Sequence, residues 1–208
     1  MGFRCRSLGL VASILLCGAM SKAQNYESLR IRVLVNDSVG VNHSVLKQAE
    51  EEASWLLRSA GITIDWVHCS NTADCRRPPR SNEFVLHIAS NGKTTSDFVF
   101  GEAFLAPDGT GKYVDVFFNR MRETDGDINV GQLLGAVSAH ELGHLLLGSH
   151  AHSLVGIMEP VWKRDALHRI ARRNLTFTPE QIRSIRNRLQ SSRVAITTLK
   201  GPGRLGLE

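Results

Sequence analysis

The chain has 208 residues, of which 42% are hydrophobic and 22% charged, which excludes a disordered or fibrous protein and predicts one globular domain with a hydrophobic core. Its formal net charge of +5 falls to about +2 when three basic residues of the predicted leader, Arg4, Arg6 and Lys22, are set aside. The remaining basic residues lie late in the chain without interleaved aromatic side chains, so we expect no nucleic-acid partner. The oligomeric state stays open.

Residues 1–23 have the features of a signal peptide. Arg4 and Arg6 precede an apolar run that is too short to span a bilayer comfortably, and residues 21–23 (Ser-Lys-Ala) form a small-x-small cleavage site. We therefore expect an exported protein, secreted or in the periplasm or extracellular space, whose mature chain begins near Gln24; an N-terminal membrane anchor is the alternative. No later segment is apolar enough to span a membrane, so we expect no membrane association once the leader has been removed.

Two cysteines remain after the leader, Cys69 and Cys75, with five residues between them. An even number of cysteines in an exported chain predicts a disulfide, and this one would pin the polar loop over 70–81. Two free thiols are the alternative. A cysteine-based zinc site is not expected, because the mature chain has no second cysteine pair.

The hydrophobic pattern predicts the order β-α-β-β-β-β-α-loop-α. Strands are expected at residues 29–35, 62–67, 84–88, 100–105 and 113–118, the fourth at an edge and the fifth central. Helices are expected at 44–60, 130–147 and 178–189. Ser44 is the predicted N-cap of the first, and Thr178 with Gln181 forms a capping box for the last. This order is typical of an α+β domain with a mixed twisted sheet, over 24–193, followed by a mobile tail over 194–208.

The most informative segment is His140-Glu141-Leu142-Gly143-His144, in the second helix. Residues four apart lie on one helix face, so the imidazoles of His140 and His144 can bind one zinc ion. Glu141 lies about 100° round the helix from His140 and can reach a water at the metal without being a ligand. Because the flanking residues are apolar on nearly all sides, the helix is expected to be buried, where unpaired polar groups are costly. One metal ion would serve as the partner of both histidines. The alternative is that the pattern arose by chance in a core helix.

A zinc site of this kind needs a third protein ligand. His150 lies ten residues after His140, beyond Gly148, which can break the helix and turn the chain back. His152, four residues past Gly148, competes for the same role. Met158 follows eight residues after His150, within Gly156-Ile157-Met158-Glu159-Pro160.

The spacing from His140 through His150 to Met158 resembles the metzincin clan of zinc peptidases, whose pattern is H-E-x-x-H-x-x-G-x-x-H with a later Met-turn. The interval to Met158 and the last helix are most similar to the matrixin branch. One departure concerns the glycine, which the clan has one residue earlier, where this chain has Leu147.

The resemblance implies a metzincin-like fold: a sheet with a long helix, a buried active-site helix and a small C-terminal subdomain that ends in a helix. It implies that the zinc ligands are His140, His144 and His150, with His152 as the alternative third ligand. It also implies that Glu141 is the general base, that Met158 forms a hydrophobic floor below the metal, and that the edge strand pairs with an extended substrate.

The function expected from these residues is hydrolysis of peptide bonds by a secreted zinc-dependent endopeptidase, with Glu141 as the general base for a zinc-activated water. A non-catalytic exported domain that keeps a structural zinc or none and works by binding is one alternative, and Glu141 argues against it because a structural site needs no base. A zinc hydrolase of non-peptide amides is the other. The sequence leaves the physiological substrate and the cleavage preference open.

Overall fold

The computed structural model describes residues 29–70, 73–92, 99–124 and 128–199, apart from the side chains of residues 74 and 192–199. The predicted signal peptide and the end of the predicted tail lie outside these residues. Over the described ranges, no helix combines the length and the apolar character that a membrane crossing requires.

One five-stranded mixed sheet forms the upper part of the domain. Its strands are β1 (Leu29–Asp37), β2 (Ile62–His68), β3 (Glu83–Ala89), β4 (Gly101–Leu105) and β5 (Gly111–Phe117). The order across the sheet is β2-β1-β3-β5-β4, and only β4 runs antiparallel to its neighbour. All five predicted strands are confirmed, with β4 at the edge and β5 inside. The predicted α+β class with a mixed sheet is therefore confirmed.

Five helices accompany the sheet over the described residues: α1 (His43–Ser59), α2 (Phe118–Arg122), α3 (Val130–Leu147), α4 (Arg164–Ala171) and α5 (Pro179–Leu199). The prediction for α3 matches at both ends. The short helices α2 and α4 were not predicted. Helix α5 runs ten residues past its predicted end at residue 189, into the segment expected to be a mobile tail.

The predicted cap of α1 was wrong by two residues. Asn42 is the N-cap, and its side-chain oxygen accepts from the Ser44 amide at 2.9 Å and from the Ser44 hydroxyl at 2.7 Å. Asparagine and serine are both good caps, so the local sequence allowed either start. The capping box of α5 is confirmed, because the Gln181 amide donates to Thr178 Oγ1 and the Thr178 amide donates to Gln181 Oε1.

Helix α3 is buried on all sides, between the sheet, α1 and the C-terminal helices. Its N-terminal half crosses α1 so closely that a Cβ at Gly135 would lie 2.4 Å from the Ala49 carbonyl oxygen. Asn129 caps the helix by accepting from the Gly131 amide at 2.7 Å. A helix held in this way presents its side chains at fixed positions, which is what a metal site requires.

The predicted disulfide is present. Cys69 and Cys75 are joined, with their Cα atoms 5.5 Å apart. The bridge closes the turn that follows β2, and both cysteines line a cavity of about 290 Å³ together with Val85 and Tyr113.

Candidate metal centre

Helix α3 places two imidazoles side by side. The Nε2 atoms of His140 and His144 are 3.1 Å apart, close to the roughly 3.3 Å that separates two nitrogen ligands on one tetrahedral zinc ion. His140 Nδ1 donates to the Ile157 carbonyl at 2.7 Å, and His144 Nδ1 donates to the Ser149 carbonyl at 2.8 Å. Because the carbonyls accept, each Nδ1 carries the proton and each Nε2 keeps its lone pair. Backbone carbonyls commonly orient metal-binding histidines in this way.

Burial keeps these rings neutral. It lowers the pKa of His140 to about 3, and the neighbouring His144 and His152 add to this effect, which the hydrogen bond to Ile157 opposes. Burial is also the main cause of the lowered pKa of His144 and of His152. Neutral imidazole is the form that binds a metal ion, so the pair is prepared for one at neutral pH.

His152 completes the group of possible ligands over the described residues. One ring nitrogen from each of His140, His144 and His152 lies within 4.8 Å of the others. The His152 ring centroid is 5.4 Å from that of His140 and 4.8 Å from that of His144. His150 is not part of the group: its ring centroid is 6.0 Å from that of His144, whereas both His150 and His152 are exposed. The spacing in the sequence favoured His150 as the third ligand, whereas the structure places the alternative, His152, next to His140 and His144.

The end of α3 explains this difference. The helix continues to Leu147, and Gly148 then takes the left-handed conformation, with φ 64° and ψ 36°. The Ser149 amide bonds back to the His144 carbonyl at 3.2 Å, while the Ser149 carbonyl accepts from His144 Nδ1. The chain thus passes on the side of His144 that carries Nδ1, and it needs further residues to reach the side of the two Nε2 atoms. His152 is the histidine that arrives there.

Glu141 points toward the edge strand. It is 6% exposed, and burial raises its pKa to about 8, with a smaller contribution from the carboxylate of Glu102. A Cβ at Gly101 would lie 2.7 Å from Glu141 Cγ and 2.8 Å from Oε1, so the glutamate occupies the space that a side chain would fill. The sequence offered no signal for Gly101, because this contact joins residues forty positions apart.

Met158 packs against α3 at Gly143, which lies between His140 and His144 in the chain. It is fully buried, and a Cβ at Gly143 would lie 2.7 Å from its sulfur atom. Gly156, with φ 86°, makes the preceding turn, and the Ile157 amide donates to the Thr176 carbonyl at 2.9 Å. The turn therefore links the C-terminal subdomain to His140, through the Ile157 carbonyl that accepts from that ring.

A crevice of about 240 Å³ opens over these residues, between β4 and the segment after the Met158 turn. Trp162 lines it and packs edge-on against His140, with ring centroids 5.4 Å apart. The indole is 7% exposed, and its N–H has no hydrogen-bond partner among the described residues. Sequence reasoning missed Trp162, which carries no motif of its own.

The fold is shared with two solved zinc-peptidase structures. Archaemetzincin from Methanopyrus kandleri is 17% identical, with a TM-score of 0.50 over 81% of this chain and 99% of that one. The zinc-dependent peptidase from Methanocorpusculum labreanum is 17% identical, with a TM-score of 0.51 over 74% of this chain and 99% of that one. The fold is metzincin-like. No protein-family model and no curated protein sequence matches the chain.

The metzincin-like fold confirms the predicted architecture around α3, and the three clustered histidines are consistent with a zinc site. At this level of identity the two structures support a metzincin-like zinc-peptidase fold and do not single out the matrixin branch that the sequence pattern resembled.

Proposed function

We propose that the chain is a zinc-dependent endopeptidase whose metal ligands are His140, His144 and His152. The observation that carries this proposal is the set of three imidazole nitrogens within 4.8 Å of one another. The two helical ligands have their Nδ1 protons engaged by backbone carbonyls, which leaves Nε2 as the donor to the metal. Three neutral histidines are a ligand set typical of catalytic zinc, which keeps its fourth position open.

Zinc held by these three histidines would supply Lewis acidity, which would make a water molecule more acidic and polarise the scissile carbonyl. The charge of a bound ion would favour the ionised form of Glu141 over the neutral form that burial favours, and the carboxylate would then take one proton from that water and deliver it to the leaving amine. Burial and the approach to Gly101 keep the carboxylate in one position, at the wall of the crevice. Glu141 is not among the three grouped ligands, which suits a base better than a metal ligand.

Trp162 supplies a hydrogen-bond donor to the substrate in this mechanism. Its indole N–H is buried, unpartnered among the described residues, and belongs to a side chain that lines the crevice. A buried donor without a partner loses its hydration without compensation. The N–H is covered in the unbound chain, and a rotation of the indole toward the crevice would let a bound peptide carbonyl oxygen restore that hydrogen bond.

One feature of the structure favours an endopeptidase, and another favours an exported protein. The crevice is not closed at one end, since it continues along β4 into a larger cavity, which leaves room for a substrate chain on that side. The disulfide between Cys69 and Cys75 suits an oxidising compartment. N-terminal sequencing of the exported chain, with a start near Gln24 expected, tests the leader, and an intact N-terminus would contradict it.

Cleavage of a peptide library by the purified chain tests the function. Zinc-loaded protein should cut internal bonds, chelated protein should not, and added zinc should restore cutting. Zinc-loaded Glu141→Gln is the matched control for a contaminating peptidase. Zinc binding without any cleavage would favour the structural-zinc alternative, and hydrolysis of small amides alone would favour the non-peptide alternative.

A further inference from the structure

A second cavity, of about 810 Å³, is contiguous with the metal crevice. The two share three lining residues: Glu102 and Ala103 of β4, and His150. The cavity extends from there under the β4–β5 hairpin to the ends of α3 and α5. Its volume lies within the range of ligand-binding pockets, whereas the crevice, at about 240 Å³, is smaller.

The walls of this cavity expose large apolar side chains. Phe104 and Tyr113 are cross-strand partners in the β4–β5 hairpin and are 45% and 49% exposed. Leu145 and Leu146 line it from α3, directly after the ligand His144, and Leu189 lines it from α5. Leu145 and Leu146 are themselves buried, so the exposed apolar surface of the cavity lies at Phe104 and Tyr113, and exposed apolar surface of this kind marks binding sites.

The charged residues that line the cavity are mostly cationic. Arg30, Lys112 and Arg188 stand against the single carboxylate of Glu102. Lys112 is held in the wall, with Nζ 4.7 Å from the Phe84 ring centroid, and Arg188 Nη2 donates to the Gly109 carbonyl at 3.1 Å. An apolar group with an adjacent negative charge complements this lining.

Strand β4 sets the direction in which a peptide would enter. It begins at Gly101, beside Glu141, and ends at Leu105, in the wall of the cavity. Strand β5 pairs with only one of its edges. A peptide that adds to the other edge in the stronger, antiparallel sense places its amino-terminal part over the cavity. At about 3.4 Å per residue, the cavity lies roughly two to four residues before the cleaved bond.

We infer that this cavity binds the part of a substrate on the amino side of the cleaved bond, and that it selects a large apolar side chain next to an acidic residue. The inference rests on the proposed function, because it assigns the specificity of that same site. The cationic and aromatic walls, rather than the metal crevice, then determine which peptides are cut.

Binding can be measured apart from cleavage in zinc-loaded Glu141→Gln. The probes are three fluorescein-labelled hexapeptides that differ only at two adjacent positions, which hold aspartate–phenylalanine, aspartate–alanine or lysine–phenylalanine. By fluorescence anisotropy, we expect the first to bind about tenfold more tightly than the second and about two- to fivefold more tightly than the third.

Three further substitutions in the same background assign this selectivity to the cavity. Phe104→Ala should abolish the preference for phenylalanine over alanine, and Arg30→Glu should abolish the preference for aspartate over lysine. Arg58→Glu, an equal charge reversal at the exposed end of α1 and outside the cavity lining, should change neither. The inference is overturned if all variants keep the selectivity of the parent, or if the parent has none.

Cleavage by the zinc-loaded wild-type chain tests the direction. Mass spectrometry of the products should place the aspartate–phenylalanine pair on the amino side of the cut, and a pair on the carboxyl side would overturn the inference. If the wild-type chain cuts no peptide although the anisotropy differences hold, the cavity assignment stands and the proposed function fails.

Discussion

Two buried glutamates of this domain show opposite electrostatics. Glu83, at the start of β3, is completely buried, and it accepts from Arg77 at 2.7 and 2.9 Å and from Arg32 at 3.1 Å. The hydrogen bonds from Arg77 and, to a smaller extent, the one from the Arg80 amide lower its pKa to about 2. Glu141 is buried against Gly101. Burial, together with the nearby carboxylate of Glu102, raises its pKa to about 8.

The hydrogen-bond and charge partners of a buried carboxyl group thus decide whether its pKa is raised or lowered. Around Glu83 the arginines compensate the charge, so the group serves the stability of the sheet. Around Glu141, burial and the carboxylate of Glu102 both disfavour the charged form, and a carboxyl group of this kind in a crevice beside three histidines is prepared for proton transfer. Substitution of Glu141 should therefore reduce the rate of hydrolysis and leave stability unchanged, whereas substitution of Glu83 should reduce stability.

The largest effect on activity is expected from substitution of His152, the proposed third ligand. The contrast between the two glutamates depends on a metal ion beside Glu141, and His152 would hold that ion. His152→Ala should lose stoichiometric zinc and peptide hydrolysis together, since two remaining histidines hold zinc poorly. His150→Ala, the matched control in the same segment, should keep both. Metal analysis and turnover on the same preparations decide this, and the reverse pattern would return the role to His150.

Glu141→Gln should remove chemistry without removing metal. The amide keeps the size of the side chain but cannot take a proton, so turnover should fall by about 10²–10⁴-fold. Zinc content and melting temperature should stay at the wild-type level, because Glu141 is outside the group of ligands. Wild-type turnover in this variant would show that the base lies elsewhere.

Gly101→Ala tests the space that Glu141 occupies. The added methyl would lie 2.7 Å from Glu141 Cγ and 2.9 Å from the Asp115 carbonyl, so the carboxylate or the strand must shift. A displacement of about 1 Å costs roughly 10²-fold in rate. We expect that loss in kcat, with zinc retained; unchanged kcat would mean that the position of Glu141 against β4 is unimportant.

Trp162→Phe keeps an aromatic ring against His140 and removes the N–H. Loss of one hydrogen bond to the substrate should lower kcat/KM by about tenfold, without loss of zinc. Trp55→Phe is the control, because Trp55 lies on α1 and packs against Arg173, away from the crevice. Equal kinetics for the two variants would leave the N–H of Trp162 without a role in binding.

The smallest effect on activity is expected at Glu83. Its pKa is lower in the folded chain than the ordinary value of 4.5, so its stabilisation is present above pH 4.5 and is lost as the pH falls toward about 2. Glu83→Gln should lower the unfolding free energy by about 2–3 kcal/mol at pH 7, and the gap to wild type should close across that window. Denaturant titrations at several pH values measure it, with Glu51→Gln, at an exposed position, as the control. A constant gap from pH 7 to pH 2 would contradict the linkage.

Local signals made much of this architecture predictable. The apolar residues on all sides of α3 predicted a buried helix, and Thr178 with Gln181 predicted the start of α5 because the capping box is a contact between near neighbours. The same holds for the local disulfide and the edge strand β4. Helix α4 was missed although its buried Ala166, Leu167 and Ile170 have helical spacing, because the helix is short and rich in charged residues.

The missed parts of the site depend on contacts between distant residues. Gly101 matters only because Glu141 packs against it, and Trp162 matters only because its ring reaches His140. No pattern along the chain encodes these approaches. The choice between His150 and His152 was of the same kind, since it depends on the path of the chain after α3.

The left-handed Gly148 has a consequence for how such sites are found. It ends α3 after Leu147, and of the two histidines that follow, His152 is the one that groups with His140 and His144. A pattern search that fixes the third histidine ten residues after the first would mark His150 in this chain. With the proposed ligand set, the spacing of the three histidines depends on where the helix ends, and His140 and His152 are twelve residues apart.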